Sequence, residues 1–373
     1  MNRWLLWVLI LTLWSCSGHQ EKAAQGQMHT PIPLEYARGF ELFSTGDGYY
    51  VVLYNLESDE REILTTIQVG GDTPDSSHAA IHLAHAAQRL ACLSTTHIAL
   101  LQACGSLDRL IATAFAEYVR NPEARAMIES GALRNLSGSE DVDTELLIDL
   151  SPDAFLVYPF GNEDYSVYDQ YHIPCIPISE YLEEHPLGRA EWIKLAGILT
   201  GQFEAANEAF NTMKKRYEKA VIELSYNTDL EHPTVFTGSH SSGMWFAPPG
   251  NSYIGQFIAD AGGKYLFADY HQRGNVELQF EELIDRAYDV DYWGKVVYEE
   301  GDLTLESIRA NDERYANLKA FKSGQVFYCN AAETDYFGDA IVEPGVILED
   351  LIAILHPELN PGHRFTYFKP IEP

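Results

Sequence analysis

Basic residues are scarce in this chain of 373 residues. Lys and Arg together number 25 against 55 Asp and Glu, so the formal net charge is −30. Phosphate backbones and anionic headgroups are bound by cations that displace counterions, and a surface this acidic repels them. The composition therefore excludes nucleic-acid binding. With 46% hydrophobic residues it is otherwise that of a globular protein.

Long apolar runs are also missing, apart from the N-terminus. The run Trp4 to Trp14 follows the charge of Arg3 and leads into Ser15-Cys16. It is too short to span a bilayer but typical of a signal peptide. A small residue before Cys16 is typical of a lipobox, although Trp14 departs from the usual pattern. We predict cleavage after Ser15 and lipid attachment at Cys16, in the inner or outer membrane; the alternative is a cleaved signal with a cysteine nearby by chance.

Cysteines are too few for a disulfide framework. The mature chain would keep Cys92, Cys104, Cys175 and Cys329 in addition to Cys16. Small exported domains that depend on disulfides are much denser in cysteine. We interpret the four as buried thiols, and the sequence leaves their pairing open.

Motifs of catalysis and of metal binding are absent. The chain has no His-Glu-x-x-His, Cys-x-x-Cys, phosphate loop or Gly-x-Ser-x-Gly. Adjacent residues such as Ser239-His240-Ser241 rarely form a working Ser–His pair, so an exported hydrolase is disfavoured. His78, His82 and His85 would share one face of a helix, but Ile81-His82-Leu83 favours an extended segment that scatters them. We therefore predict neither an enzyme nor a bound metal.

The remaining pattern is that of an α/β protein. Residues 36–70 alternate in the manner of a small antiparallel β element. Buried strands then alternate with helices, which predicts parallel sheets. The predicted strands are 89–93, 110–113, 154–158 and 234–237, and the predicted helices are 97–104 and 253–261, with a turn over 238–243.

A long helix separates two similar halves. Apolar residues from Phe203 to Leu224 recur with helical spacing, which predicts a helix of about 23 residues after a shorter helix over 188–199. An acid-led segment, Glu145 to Asp149, precedes a strand in the first half, and Glu281 to Asp285 does so in the second. Two α/β lobes joined by one long helix are the simplest interpretation.

The sequence resembles substrate-binding proteins of ABC importers for iron siderophores, haem and cobalamin. The motifs that carry the resemblance are Arg89 to His97, Glu145 to Asp153, Trp245 to Tyr253, Ala261-Gly262-Gly263, and the C-terminal Pro344 to Leu351 with His356-Pro357-Glu358. The C-terminal motif is similar to that of the bacteroidete branch of the family. The resemblance implies two Rossmann-like lobes joined by a single long α-helix. It also implies periplasmic location, an ABC permease with its ATPase subunits as partner, and a monomer.

The expected domain organisation follows the same scheme. It comprises a signal peptide (1–15), a lipidated tether (16–35), a first lobe (36–187), connecting helices (188–224) and a second lobe (225–373). In the family, one Glu on each lobe meets arginines of the permease, and the matching positions here are Glu145 and Glu281. An acid in the first turn of a helix is also stabilised by the helix dipole, so both could be ordinary surface residues.

Ligand contacts are expected where strands end and helices begin, the usual ligand position in open α/β sheets. Aromatic residues are common there, and their faces suit a large flat or chelated ligand. A helix N-terminus also favours anionic groups. The candidate ligand residues are Thr96, His97, Tyr118, Phe160, Gly161, Trp245, Phe246, Tyr253 and Tyr336. The expected ligand is a siderophore, haem or cobalamin, and the alternative is free zinc or manganese.

Overall fold

A computed structural model describes residues 29–58, 60–71, 79–137, 142–159 and 165–372. The predicted signal peptide, lipidated Cys16, His78, Phe160 and Gly161 lie outside the described residues. Within the described ranges, no helix is both long and apolar enough to cross a membrane.

The N-terminal β element is a five-stranded sheet whose strands follow the chain order. Its strands are β1 (Thr30–Ile32), β2 (Phe40–Ser44), β3 (Gly48–Tyr54), β4 (Ile63–Gly70) and β5 (Ile81–Leu83). All neighbours are antiparallel except β4 and β5, which are parallel. The sequence predicted the element over 36–70 but missed the two outer strands, which are only three residues long. The extended conformation expected for residues 81–83 is confirmed.

The first lobe contains a parallel sheet in the order β10-β9-β6-β7-β8. Its strands are β6 (Leu90–Cys92), β7 (Leu110–Thr113), β8 (Arg134–Asn135), β9 (Ala154–Val157) and β10 (Cys175–Pro177), and its helices are α1 (Thr95–Ala103), α2 (Pro122–Ser130) and α3 (Thr144–Leu150). All residues of β6 and β9 are buried, as expected for central parallel strands. Ser94 caps α1, because its hydroxyl accepts from the Thr96 amide at 3.2 Å.

Three helices connect the lobes: α4 (Pro186–Glu191), α5 (Ile193–Thr200) and α6 (Phe203–Ser225). The prediction of a 23-residue helix is confirmed by α6, which buries Phe210 and Tyr217 on one face. The single shorter helix predicted over 188–199 is instead two helices that meet at Trp192.

The second lobe has a mixed sheet in the order β14-β11-β16-β17-β18 and a small antiparallel sheet in the order β12-β13-β15. Its strands are β11 (Thr234–Thr237), β12 (Ser239–Ser241), β13 (Met244–Ala247), β14 (Lys264–Tyr265), β15 (Val276–Gln279), β16 (Tyr292–Val297), β17 (Val326–Asn330) and β18 (Lys369–Pro370). Its helices are α7 (Tyr253–Asp260), α8 (Phe280–Arg286), α9 (Leu305–Asn311), α10 (Lys319–Lys322) and α11 (Pro344–Leu355).

One predicted turn was wrong. Residues 238–243 do not form a single turn, because Ser239–Ser241 is strand β12 and pairs with β13. The reversal is confined to Ser242 and Gly243, whose φ angles are 52° and 82°. Two consecutive residues with positive φ make the tight hairpin turn whose twist matches antiparallel strands. The Ser-rich composition concealed this short strand.

Two buried carboxylates hold the N-terminal sheet against α4. Glu191 accepts from the backbone amides of residues 35–37 at 2.8–3.1 Å, and Glu183 accepts from those of residues 38 and 39 at 2.9–3.0 Å. The Lys194 ammonium donates to Glu191 at 2.7 Å, and the Trp192 indole donates to Glu183 at 2.9 Å. Gly39 has no side chain, and a Cβ there would lie 2.6 Å from the Trp192 ring. These contacts tie the sheet to the connecting helices.

The four cysteines among the described residues are free thiols, as interpreted from the sequence. Cys92, Cys104 and Cys329 are buried and Cys175 is half-buried. Burial raises the pKa of Cys92 and of Cys329 to about 12, so both remain protonated.

Candidate ligand-binding site

The two lobes meet at the carboxyl ends of their parallel strands. The Thr95 hydroxyl, at the start of α1, donates to the backbone carbonyl of Phe337 in the second lobe. The Asn121 amide donates to both carboxylate oxygens of Asp339 at 3.2 and 3.3 Å. Arg120 donates to the Tyr298 hydroxyl at 2.7 Å. These contacts close one edge of a cleft between the lobes.

A cavity of about 340 Å³ opens on the second-lobe side of the cleft. This volume lies at the lower end of the roughly 300–1,000 Å³ typical of ligand pockets. Most of its lining is aromatic or aliphatic, with side chains that include Phe246, Tyr253, Ile254, Phe257, Phe327, Tyr336, Phe337 and Phe368. Three of the candidate ligand residues, Phe246, Tyr253 and Tyr336, therefore line one cavity.

The cavity wall presents rings and hydroxyls. Gly294 faces it, since a Cβ there would meet the Phe327 ring and the Thr237 methyl group. Lys295, the next residue of β16, is also among the residues that line the cavity. Its ammonium lies 4.5 Å from the centre of the Trp293 ring, and burial lowers its pKa to about 8. This lysine was not singled out from the sequence.

Other candidate ligand residues lie in the core. His97 is 1% exposed and Trp245 is 0% exposed. Neither ring nitrogen of His97 has a hydrogen-bond partner among the described residues, and burial lowers its pKa to about 3, so the ring is neutral. The Trp245 indole donates to the Thr237 carbonyl at 3.1 Å. Neither side chain lines the cavity.

Thr96 and Tyr118 occupy different parts of the cleft. Thr96 is buried, and its hydroxyl lies 2.8 Å from that of the capping residue Ser94. Tyr118 is 53% exposed and its ring lies 6.1 Å from the ring of Tyr298 in the other lobe. Tyr118 therefore stands at the closed edge of the cleft.

Arg189 and Glu180 form an ionic contact where the lobes and connector meet, and the sequence did not indicate it. The Arg189 guanidinium lies 4.2 Å from the centre of the Tyr253 ring and 3.8 Å from a Glu180 carboxylate oxygen. Burial raises the pKa of Glu180, while Arg189 and a hydrogen bond from Thr96 oppose that shift. Three distant segments bring these groups together, so no local pattern marks them.

Acidic side chains of the second lobe line the cross-lobe contact. Burial and the neighbouring carboxylate of Asp339 raise the pKa of Asp335 to about 6, although a hydrogen bond from the Asp339 backbone and the charge of Arg120 oppose the shift. Burial also raises the pKa of Asp339, against the hydrogen bond from Asn121. The edge of the cleft therefore holds carboxyl groups that titrate above their usual range.

The raised pKa of Asp335 predicts that the stability of the protein depends on pH. A carboxyl whose pKa is higher in the folded state binds its proton more tightly there, so its contribution to stability falls as pH rises from about 3.9 to about 6. Asp335→Asn should therefore raise the melting temperature, relative to the unchanged protein, more at about pH 7.5 than at about pH 4.5. Scanning calorimetry at both pH values measures this difference, with exposed Asp285→Asn as control. An equal effect at both pH values would contradict the assignment.

The two acids expected to meet a permease occupy equivalent positions. Glu145 is the second residue of α3 and Glu281 is the second residue of α8, and both side chains are exposed. Glu281 pairs with Arg314 at 2.7 Å, whereas the adjacent Glu282 pairs with Arg286 of its own helix at 2.8 Å. Glu281, and not Glu282, therefore corresponds to Glu145, because each is the second residue of its helix.

Comparison with known proteins identifies the family. Residues 90–333 match the periplasmic binding protein family. An uncharacterized lipoprotein of Methanocaldococcus jannaschii is 25% identical over 291 residues, which cover 75% of this chain and 68% of the relative. The resemblance stated from the sequence is confirmed, while the bacteroidete branch stays a prediction. The predicted export agrees with the family, and the predicted lipid anchor agrees with the relative's name.

Solved structures agree on the fold. A periplasmic binding protein from Veillonella parvula is 18% identical with a TM-score of 0.59, and the match covers 73% of this chain and 92% of that one. A periplasmic heme-binding protein from Pseudomonas aeruginosa is 16% identical with a TM-score of 0.57, covering 73% and 93%. A periplasmic vitamin B12-binding protein of Vibrio cholerae is 16% identical with a TM-score of 0.54, covering 74% and 98%. The two-lobed architecture, the aromatic cleft and the family match together show that this chain belongs to the periplasmic binding proteins, which bind solutes and are not enzymes.

Proposed function

We propose that this protein captures an iron chelate (a siderophore or haem) or cobalamin in the cleft and delivers it to an ABC permease. The observation that carries the proposal is the aromatic cavity at the carboxyl ends of the second-lobe strands, opposite the start of α1. Its rings offer broad apolar faces, and the hydroxyls of Tyr253 and Tyr336 offer polar edges. Such a wall suits a large ligand that is partly apolar.

The cavity accommodates part of such a ligand. At about 340 Å³ it is near the lower limit for a drug-sized pocket, so a chelate or corrinoid would insert one edge. The rest would lie between the lobes, near Tyr118 and the Arg189–Glu180 pair. Free zinc or manganese is less well supported, because the described residues contain no group of three His, Cys, Asp or Glu side chains that could hold a metal.

A ligand screen tests the proposal. Titration of the purified full-length protein with haemin, ferrichrome, a ferric tris-catecholate and cyanocobalamin should show quenching of tryptophan fluorescence by one class. Calorimetry should then give a dissociation constant of about 1 μM or tighter, equivalent to about −8 kcal/mol. Metal analysis after dialysis serves as the control for the alternative. Failure of all four compounds to bind, or a stoichiometric tightly held zinc or manganese ion, would contradict the proposal.

The proposed assembly places the lipidated tether before the first lobe and the two acids on the permease-facing side. We propose the five segments expected from the sequence as the domain organisation and Cys16 as the point of lipid attachment. Glu145 and Glu281 would each form a charge-assisted pair with a permease arginine, of the kind that Glu281 already makes with Arg314.

The docking role predicts that replacing the two acids weakens binding to the permease without changing ligand affinity. The double change Glu145→Ala with Glu281→Ala should weaken binding to the permease in reconstituted membranes by about tenfold or more, since truncating hydrogen-bonded charge pairs costs several kcal/mol. Ligand affinity should not change, because both side chains are exposed and neither lines the cavity. The matched control replaces Asp149 and Asp285, exposed acids of the same two helices. Unchanged permease binding and uptake would rule out the docking role.

A further inference from the structure

The N-terminal sheet is bound firmly to the connecting helices. Five consecutive backbone amides, from residues 35 to 39, donate to the carboxylates of Glu191 and Glu183, which are 0% and 2% exposed. The Tyr36 hydroxyl also donates to Glu218 of α6 at 2.7 Å. Separating the sheet from the connector would remove the amide donors of both carboxylates and leave each with one side-chain donor, Lys194 or Trp192, which is costly. The sheet and the connector therefore move as one unit.

The sheet and the segment just before α4 reach the second lobe through exposed polar contacts. The Arg273 guanidinium donates to the backbone carbonyl of Ser58, in the loop between β3 and β4. Glu184, which directly follows Glu183, accepts from Arg38 at 2.8 Å and from the Asn251 amide at 3.1 Å. Asn251 lies two residues before Tyr253, and Arg273 lies two residues before Asn275. Both Tyr253 and Asn275 line the cavity. The contacts thus hold the two loops that flank the ligand cavity.

The two sets of contacts differ in strength. Buried carboxylates with several donors resist separation, whereas the hydrogen bonds of Arg273 with Ser58 and of Asn251 with Glu184 are exposed. Exposed ion pairs contribute little individually and exchange readily with water. Movement of the second lobe would break the hydrogen bonds of Arg273 with Ser58 and of Asn251 with Glu184 and leave those of Glu183 and Glu191 intact.

We propose that the N-terminal sheet, together with Glu184 just before α4, is a clasp that stabilises the closed arrangement of the two lobes through Arg273 and Glu184. The sheet lies outside residues 90–333, so the family match does not account for it. The clasp acts on the cleft of the proposed function but does not depend on which ligand binds there. Arg273 and Glu184 are positioning residues, since they hold loops next to the cavity and do not line it.

Hydrogen exchange of the ligand-free, full-length protein tests the clasp. The double change Arg273→Ala with Glu184→Ala should speed amide exchange about threefold to tenfold in the cross-lobe segments 116–119 and 338–340, as expected for the loss of a few exposed polar contacts. Exchange at residues 51–53, in the centre of the sheet, should not change. Arg286→Ala is the matched control, because this second-lobe arginine pairs with Glu282 of its own helix.

Each outcome of the hydrogen-exchange experiment either supports or overturns the clasp. Faster exchange in the cross-lobe segments alone supports the clasp. Unchanged exchange everywhere overturns it, and faster exchange at residues 51–53 as well overturns it in favour of a purely structural role. Because no ligand is present, the result is separate from the ligand screen, and each proposal can fail without the other.

Discussion

Replacing Glu191 with alanine is expected to lower the free energy of unfolding by about 3–5 kcal/mol. The carboxylate is fully buried and accepts from three backbone amides and from Lys194, whose side chain is 4% exposed. Its loss would leave the Lys194 charge buried without a partner and the amides of residues 35–37 without an acceptor. Urea unfolding followed by circular dichroism measures the change.

Two control variants separate this effect from the general cost of substitution. Glu208→Ala removes an exposed carboxylate from α6 and should change stability by no more than about 0.5 kcal/mol. Lys194→Met should cost less than Glu191→Ala, since Glu191 would keep its three amide donors. A loss below about 1 kcal/mol for Glu191→Ala would show that the two carboxylates do not hold the sheet in place.

Replacing Tyr336 with alanine is expected to weaken ligand binding by about 30-fold to 100-fold. The Tyr336 ring lines the cavity between Phe337 and Phe368, at ring distances of 5.2 and 5.7 Å. Large aromatic side chains in the centre of a binding site often contribute 2 kcal/mol or more, which is about 30-fold in affinity. The measurement is a titration with the compound that binds in the ligand screen.

The hydroxyl and the ring of Tyr336 can be tested separately. Burial raises the pKa of this tyrosine well above its ordinary value, so the hydroxyl stays protonated. Tyr336→Phe keeps the ring and should retain most of the affinity if apolar contact dominates. Tyr288→Ala, which removes a 57% exposed tyrosine outside the cavity, is the control. Undiminished affinity in Tyr336→Ala, with an unchanged melting temperature, would place the ligand elsewhere.

The sequence by itself determined the class of fold and the succession of its elements. Helical spacing of apolar residues predicted α6, and the helix expected over 97–104 corresponds to α1. Repetition of an acid-led helix pointed to Glu145 and Glu281, which the structure shows at equivalent helix positions. These features are local, since periodicity, capping and chain order depend on neighbouring residues. For the same reason the family resemblance could be stated from short motifs.

Only the tertiary structure decided which candidate side chains line the cavity. Trp245 and Phe246 are adjacent on β13, and alternation along the strand sends one into the core and the other to the cavity. The contact of Arg189 with the Tyr253 ring and the carboxylates that bind residues 35–39 depend on segments that are distant in the chain. The type of a residue does not indicate which distant residue it will contact, because the folded backbone sets the distance between the two groups and their burial. The sequence therefore predicted two lobes with a cleft between them, and three-dimensional packing determined which side chains line the cavity.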